Sequence, residues 1–419
     1  MHCARGRDRV TSSAVTFLSC AFASLGQSWC LDEVLGPRVS PRRIHIVGED
    51  TLSCNSINII SRRSRSWERL YVLYKLPKVS ESSNPVVRSG LAYLYITSNT
   101  VDKGWQLSTR KISANNSIPG NTLAPLYDDS VASKAFWILY NDDPPNRPIN
   151  GKNGHTKGVV MANKKQGFWL IHSVPNYPPV PNSGNDTRRG QNVTENSTPG
   201  NRSKYDYPTS GMHYGQSFLC ISVDGDQFDS IGQQLMYNQI IVYRRSIPVK
   251  FAAAFPVLTD AANQKRIRKA PFTSKTLLKS SDGVQFVSFA KSDKWQKDLY
   301  DEFVAPTLKT DLFAETWLNG RGRLPSDCAQ VKVYNIMSIH LKRVDIDFKS
   351  SHDHSKWAVA VEGKANRTWV CIGDINRADT QYVRGGGTVC FDNRKVWDNY
   401  RKSVNDVEPC PKQYKAVLV

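Results

Sequence analysis

One short polar motif, His-x-Lys, occurs twice in this chain, and its repetition constrains the fold more than any other feature. The first copy reads Gly154-His155-Thr156-Lys157-Gly158. The second, Asp353-His354-Ser355-Lys356-Trp357, begins 199 residues later. Each copy leads into an apolar strand, a polar turn and a second apolar strand. Each then closes on Asn: His172-Ser173-Val174-Pro175-Asn176 in the first case, Gly373-Asp374-Ile375-Asn376 in the second. A single His-x-Lys on a strand reads as a solvated face. Two copies in matching contexts read as a divergent internal duplication, with one active site assembled from two related halves.

The surrounding pattern supports strands. Leu70, Val72 and Tyr74 alternate with other residues, as do Leu91, Tyr93 and Tyr95. Ala135 to Tyr140 is a short apolar run ended by Asn141-Asp142-Asp143-Pro144-Pro145. Gly158–Met161 and Phe168–Ile171 flank the turn Asn163–Gly167, which predicts a hairpin with His155 and Lys157 at its entry and His172 at its exit. Ser217–Val223 predicts another buried strand. Helical spacing follows at Ile231, Leu235 and Met236, at Trp295, Leu299, Tyr300 and Phe303, and last at Val396, Trp397 and Tyr400. Trp357–Val361 and Thr368–Ile372 repeat the strand-turn-strand order. The expected class is mixed α/β of the α+β kind.

The formal charge is +19, from 56 Lys and Arg against 37 Asp and Glu, which suits a polyanionic partner or simply a basic secreted protein. No apolar run reaches the roughly 18 residues of a membrane span. Arg5, Arg7 and Arg9 precede the apolar stretch Ala14–Ala23, and Ala21-Phe22-Ala23 fits a cleavage site, so residues 1–23 read as a signal peptide. Residues 24–53 have no assignment, and 178–210 read as a solvated, glycosylated insertion. Sequons stand at Asn115, Asn185, Asn192, Asn196, Asn201 and Asn366. Of nine cysteines, Cys3 and Cys20 lie in the leader and Cys30 is unplaced. The even set that remains, Cys54, Cys220, Cys328, Cys371, Cys390 and Cys410, reads as three disulfides of an oxidising compartment. Without Cys-x-x-Cys or His-x₃-His, neither a metal site nor a cofactor is expected.

Phosphodiester cleavage without a metal needs a nucleophile or base, an acid for the leaving oxygen, and positive charge on the non-bridging oxygens. Two His and two Lys supply all three. On a strand, residues i and i+2 face one side, so each His-x-Lys points its two side chains together. One neutral imidazole attacks phosphorus and forms a phosphohistidine; the other, protonated, donates to the leaving oxygen. Because imidazole titrates near pH ~6.5, mild acid is the natural working range. His172 is either a third imidazole of the site or a loop anchor. Asn176 and Asn376, with Asp374, either orient a catalytic group or close turns. Arg384 with Gly385–Gly387 presents N–H groups to a phosphate or forms a plain tight turn. Lys265–Lys269 reads as a solvated basic loop rather than a DNA track.

Several longer motifs resemble the deoxyribonuclease II family: Tyr74-Lys75-Leu76-Pro77, Leu139-Tyr140-Asn141-Asp142, Gly154–Gly158, Phe168–Asn176, Asp353–Trp357 and Arg384-Gly385-Gly386-Gly387-Thr388. The match runs in order from about Cys54 to Tyr414. The resemblance implies an acid, metal-independent DNA endonuclease of the phospholipase D-like fold, an intramolecular pseudo-dimer, leaving 3′-phosphate ends and acting in lysosomes or after secretion. It places the principal catalytic residues at His354 and Lys356, their partners at His155 and Lys157, and a further His at His172. It pairs Cys54 with Cys220, Cys328 with Cys410 and Cys371 with Cys390. The sequence departs from the pattern at Ala358, where Cys is common, and at Asn163, where many members have Asp. Residues 24–53 and 178–210 are not family-like.

The resulting expectation is a catalytic domain over 54–419, with halves of about 54–225 and 226–419, acting on DNA. A homodimer is compatible with the sequence, which does not fix the oligomeric state. The rival readings are a non-enzymatic nucleic-acid-binding glycoprotein or toxin, and a lipid phosphodiesterase on the same fold.

Overall fold

The computed structural model describes residues 52–54, 69–145, 147–182, 204–363 and 367–411, with backbone alone at Asn185 and Asp186. The expected signal peptide, nearly all of 24–53, much of the insertion, and the sequons at Asn192, Asn196, Asn201 and Asn366 lie outside these residues. All described residues belong to one unit, Val47–Val419.

The apolar runs form two large sheets. The first contains β1 (Leu70–Lys75), β2 (Tyr93–Thr97), β3 (Gln106–Leu107), β4 (Phe136–Asn141), β5 (Lys157–Ala162), β6 (Gln166–His172), β7 (Asn185–Asp186), β8 (Gln216–Asp224) and β9 (Val242–Ser246). Its order is β3-β2-β1-β8-β6-β5-β4-β9-β7. The second contains β10 (Thr273–Lys279), β11 (Gln285–Lys291), β12 (Leu312–Glu315), β13 (Val333–Leu341), β14 (Ile346–Lys349), β15 (Trp357–Ala360), β16 (Trp369–Gly373), β17 (Gly386–Asp392) and β18 (Val404–Val407). Its order is β10-β11-β17-β16-β15-β12-β13-β14, with β18 on β13. Among the described strands only β12 and β13 pair in parallel. The change of sheet therefore falls between residues 246 and 273.

The central strands, among them β1, β4, β5, β6, β8, β15 and β17, are buried on both faces, which is why they read as unbroken apolar runs. Leu70, Val72 and Tyr74 of β1 join a core shared with Val359, Val370 and Ile372 of the second sheet. The intervening Tyr71 and Leu73 face a separate core with Ile118, Leu123 and Leu126. On the far side of the second sheet, Phe289, Ala358 and Cys371 pack on Leu299, Tyr300 and Leu308. The period of two thus separates two apolar environments, not core from solvent.

The predicted helices at Phe228–Asn238 and Arg394–Ser403 form, the latter burying Val396, Trp397 and Tyr400. The Trp295–Phe303 spacing is helical only in its second half. Trp295 ends a 3₁₀ turn and Gln296 is left-handed, whereas Leu299, Tyr300 and Phe303 lie on a helix whose π segment, Tyr300–Val304, runs directly into α-helical Ala305–Leu308. Disulfides join Cys54 to Cys220, Cys328 to Cys410, and Cys371 to Cys390, the last pair directly opposed across β16 and β17. Asn115 is exposed. Among the described residues no helix is long and apolar enough to cross a membrane.

Candidate active site

Only Lys157 of the two motifs lies inside a strand; His155, His354 and Lys356 occupy the extended lead-ins to β5 and β15. Each lead-in is held by the opposite sheet. The His155 N–H donates to the Gly385 carbonyl at 2.9 Å, and the His354 N–H donates to the Gly215 carbonyl at 2.9 Å. Gly215 is a close approach: a Cβ there would lie 2.3 Å from an Asp353 oxygen. At Gly154 a Cβ would lie 1.9 Å from the Asn238 carbonyl, at the end of the Phe228–Asn238 helix. Side chains at these two positions would push the lead-ins apart.

The imidazoles are fixed in the same reciprocal way. His155 Nδ1 lies 2.8 Å from Gln381 Oε1. His354 Nδ1 lies 3.0 Å from the Ser173 carbonyl and 3.2 Å from Gln216 Oε1. A carbonyl only accepts, so His354 carries its proton on Nδ1 and leaves Nε2 with a lone pair. The Trp317 ring packs edge-on against His354 at 5.2 Å and against Tyr214 at 4.7 Å.

The lysines differ. Lys157 Nζ donates to Asp142, whose other oxygen accepts from Arg384 Nη2 at 2.9 Å and lies 3.9 Å from His155 Nε2. Burial alone would raise the Asp142 pKa, but Lys157, His155 and Arg384 hold it well below the usual carboxylate range. Lys356 Nζ donates to the His354 carbonyl at 2.6 Å. Burial and the charge of Lys157 push its pKa well down, against Asp353, Asp142 and Asp374. The two lysines and two histidines therefore share one electrostatic environment. The His354 pKa is lowered by burial, Lys356, Lys157 and His155 in turn. The His155 pKa is lowered by burial and opposed chiefly by Asp142.

The remaining expected residues fall into distinct places. His172 ends β6 with its ring fully buried between Tyr177 and Phe218. Its Nδ1 accepts from the Val174 N–H at 3.1 Å. Burial and Lys157 lower its pKa well below the ordinary value. Asn176 adopts the left-handed region (φ 56°) and bonds Asp143 and Pro144, closing a turn. Asn376 Oδ1 accepts from the Trp317 N–H at 3.3 Å, so it seats the ring that packs on His354. Asp374 is buried, accepts from the Gly387 N–H at 3.2 Å, and has its pKa pushed up by burial to about 7. The Arg384 guanidinium is committed to Asp142 and to the carbonyls of Asn150, Asn153 and Gly154. It clasps the first lead-in to the second sheet.

The family model for deoxyribonuclease II matches residues 69–410. The chain belongs to the deoxyribonuclease II family. It is 35% identical to human deoxyribonuclease-2-beta over 370 residues, 87% of this chain and 93% of that protein. It is 36% identical to plancitoxin-1 of Acanthaster planci over 343 residues, 81% of this chain and 89% of the relative. It is 34% identical to cell death-related nuclease 6 of Caenorhabditis elegans over 352 residues, 82% and 86%.

Sequence reasoning passed over Asp142, Gln216, Gln381, Ser173, Trp317 and Lys291. Asp142 stood in a quoted motif but read as a strand terminator. Its signal was position: Asn141 pairs with Lys157 across β4 and β5, so the next residue can meet the ammonium. Lys291 ends the apolar strand Phe286–Ala290 and is buried. The two glutamines carry no motif, and only the fold brings them to the imidazoles.

Proposed function

We propose that this member of the family is an acid endodeoxyribonuclease that hydrolyses DNA without a metal through a phosphohistidine. The observation that carries this reading is the reciprocal anchoring of His155 and His354, each held at Nδ1 by the opposite sheet, with Lys157 and Lys356 beside them.

His354 is the nucleophile. Each charged neighbour named for it lowers its proton affinity, and Nε2 keeps its lone pair. His155 is the acid: burial lowers its pKa, but Asp142, 3.9 Å from its Nε2, opposes that shift, and among the described residues His354 has no such carboxylate. Nε2 of His354 bonds to phosphorus as the P–O5′ bond breaks, and His155 passes its proton to O5′. Water then attacks phosphorus, His155 takes its proton, and the P–N bond breaks. The products are a 5′-hydroxyl and a 3′-phosphate, with His354 restored. Lys157 and Lys356 stabilise the charge on the non-bridging oxygens. Asp374, with its pKa near 7, is protonated at the working pH and adds no negative charge against the phosphate.

The two sheets fit the internal duplication that the motif repetition suggests and the phospholipase D-like pseudo-dimer that the family resemblance implies. Both His-x-Lys segments come from one chain, so a homodimer is not required to complete the site. A lysosomal or extracellular location fits an acid optimum and three disulfides. The lipid phosphodiesterase and non-enzymatic readings have no specific observation in their favour.

The test is plasmid nicking at about pH 5 in excess EDTA, on the acid side of ordinary imidazole titration. Wild type nicks and leaves 3′-phosphate ends, and His354→Ala does not. Activity that EDTA abolishes, or a fully active His354→Ala, overturns the mechanism.

A further inference from the structure

A carboxylate at Nδ1 raises the proton affinity of a histidine, whereas a neutral oxygen fixes the tautomer with far less effect. Here both imidazoles meet neutral oxygens. His155 Nδ1 faces Gln381 Oε1 at 2.8 Å, and His354 Nδ1 faces the Ser173 carbonyl and Gln216 Oε1. The Gln216 amide is itself oriented, and the Gln381 backbone is held in place. The Ser173 hydroxyl accepts from the Ser217 N–H at 3.0 Å and donates to Gln216 Oε1 at 2.6 Å, which turns the amide oxygen toward His354. The Gln381 segment is gripped by Lys291, whose buried ammonium donates to the carbonyls of Gln381, Tyr382 and Arg384 at 2.8, 3.2 and 2.9 Å. The same segment supplies the Gly385 carbonyl that accepts from the His155 N–H.

We propose that Gln381 and Gln216 are positioning residues that set the pH window of strand cleavage. Gln381 at His155, and Gln216 together with the Ser173 carbonyl at His354, fix each imidazole as the Nδ1–H tautomer without a carboxylate at Nδ1 to raise its proton affinity. The inference rests on the nuclease reading above and adds what determines its acid range.

The other charges around the two rings are accounted for. His155 faces Asp142 from β4, Lys157 from β5, Arg384 and Lys356. Asp142 is itself shared with Lys157 and Arg384. His354 faces Lys356, Lys157 and His155. Its neighbour Asp353 turns its oxygens to the Tyr74 hydroxyl and to the N–H and hydroxyl of Ser355. Cations therefore predominate around both rings, and protonation requires acid.

Replacing either amide by a carboxylate separates the roles. The acid must be protonated, so Gln381→Glu moves the alkaline limb of kcat/KM upward, by roughly one to three pH units for an opposite charge at this range. The nucleophile must be neutral, so Gln216→Glu moves the acid limb upward by a similar amount. Both profiles unmoved overturn the proposal. Nitrogen-15 NMR of histidine-labelled wild type gives a readout independent of activity and of how the variants fold. Above their titration, His155 and His354 carry the proton on Nδ1; an Nε2–H tautomer at either overturns the proposal. A wild type that shows these tautomers yet fails to cut DNA refutes the nuclease reading and leaves the positioning intact.

Discussion

The Nδ1 proton of His354 is held by the carbonyl of Ser173, 3.0 Å away and 181 residues earlier in the chain. A backbone carbonyl cannot accept a proton permanently or change tautomer, so this contact fixes both the ring plane and which nitrogen keeps its lone pair. It also makes the β6 terminus part of the second motif's chemistry. The reciprocal contact, His155 to Gln381, does the same in the other direction. Neither His-x-Lys is an intact half-site alone.

This relationship gives His172 a positioning role. Its ring sits one residue before Ser173, fully buried against Tyr177 and Phe218, with Nδ1 accepting the Val174 N–H. His172→Ala empties that space and releases the turn carrying the Ser173 carbonyl. We expect a stability loss of about 2–4 kcal/mol, together with a fall in kcat larger than any change in KM. Denaturant titration and steady-state kinetics on one preparation check both. A variant of wild-type stability and undiminished kcat refutes the assignment.

Asp142 is the second point of leverage. It is buried and answers two cations, Lys157 and Arg384, from opposite sheets. Asp142→Ala leaves both without their carboxylate. Breaking such a buried pair costs about 3–5 kcal/mol, so a large drop in the unfolding midpoint is expected. Asp142→Asn keeps the shape and loses the charge; its nicking activity should fall with less damage to stability. Equal midpoints for wild type and Asp142→Ala contradict the clasp.

Asp374 makes stability depend on pH. An unfolded Asp titrates near ~4, whereas burial places the folded group near 7. The folded state therefore binds the proton more tightly. Its contribution is fully present below the unfolded value and is lost as pH rises through 7. The depressed histidines act oppositely: their contribution is present above pH ~6.5 and lost as pH falls. Comparing wild type with Asp374→Asn isolates the carboxyl. The Tm of wild type relative to the variant should rise between pH 8 and pH ~4. A difference that stays constant across that range rejects the assignment.

Much of the architecture was legible because strands and motifs are local. The period-two run at Leu70–Tyr74, the buried-strand run at Ser217–Val223 and the apolar run at Ala135–Tyr140 became β1, β8 and β4. The hairpin carrying Lys157 and His172 appeared where the turn Asn163–Gly167 predicted it. The spacing at Trp295–Phe303 was right for Leu299, Tyr300 and Phe303, which are helical, and wrong for Trp295: apolar spacing records only which side is buried, and a 3₁₀ turn whose Trp295 packs on Phe303 satisfies it as well as another helical turn does. Arg384 shows a different limit. A Gly-flanked arginine is locally suited to a phosphate, but the fold places Asp142 and three carbonyls within its reach.

The sequence by itself determined the candidate reacting groups, two His and two Lys in repeated settings, because those residue types and their local spacing are encoded directly. The tertiary structure decided how each group is held and charged. Gln216, Gln381, Ser173, Asp142 and Lys291 lie far from their partners along the chain or carry no motif, and hydrogen bonding and Coulomb interaction depend on distance through space. The histidines were visible in the chain; the oxygens that fix their protons were assembled only when the two sheets packed together.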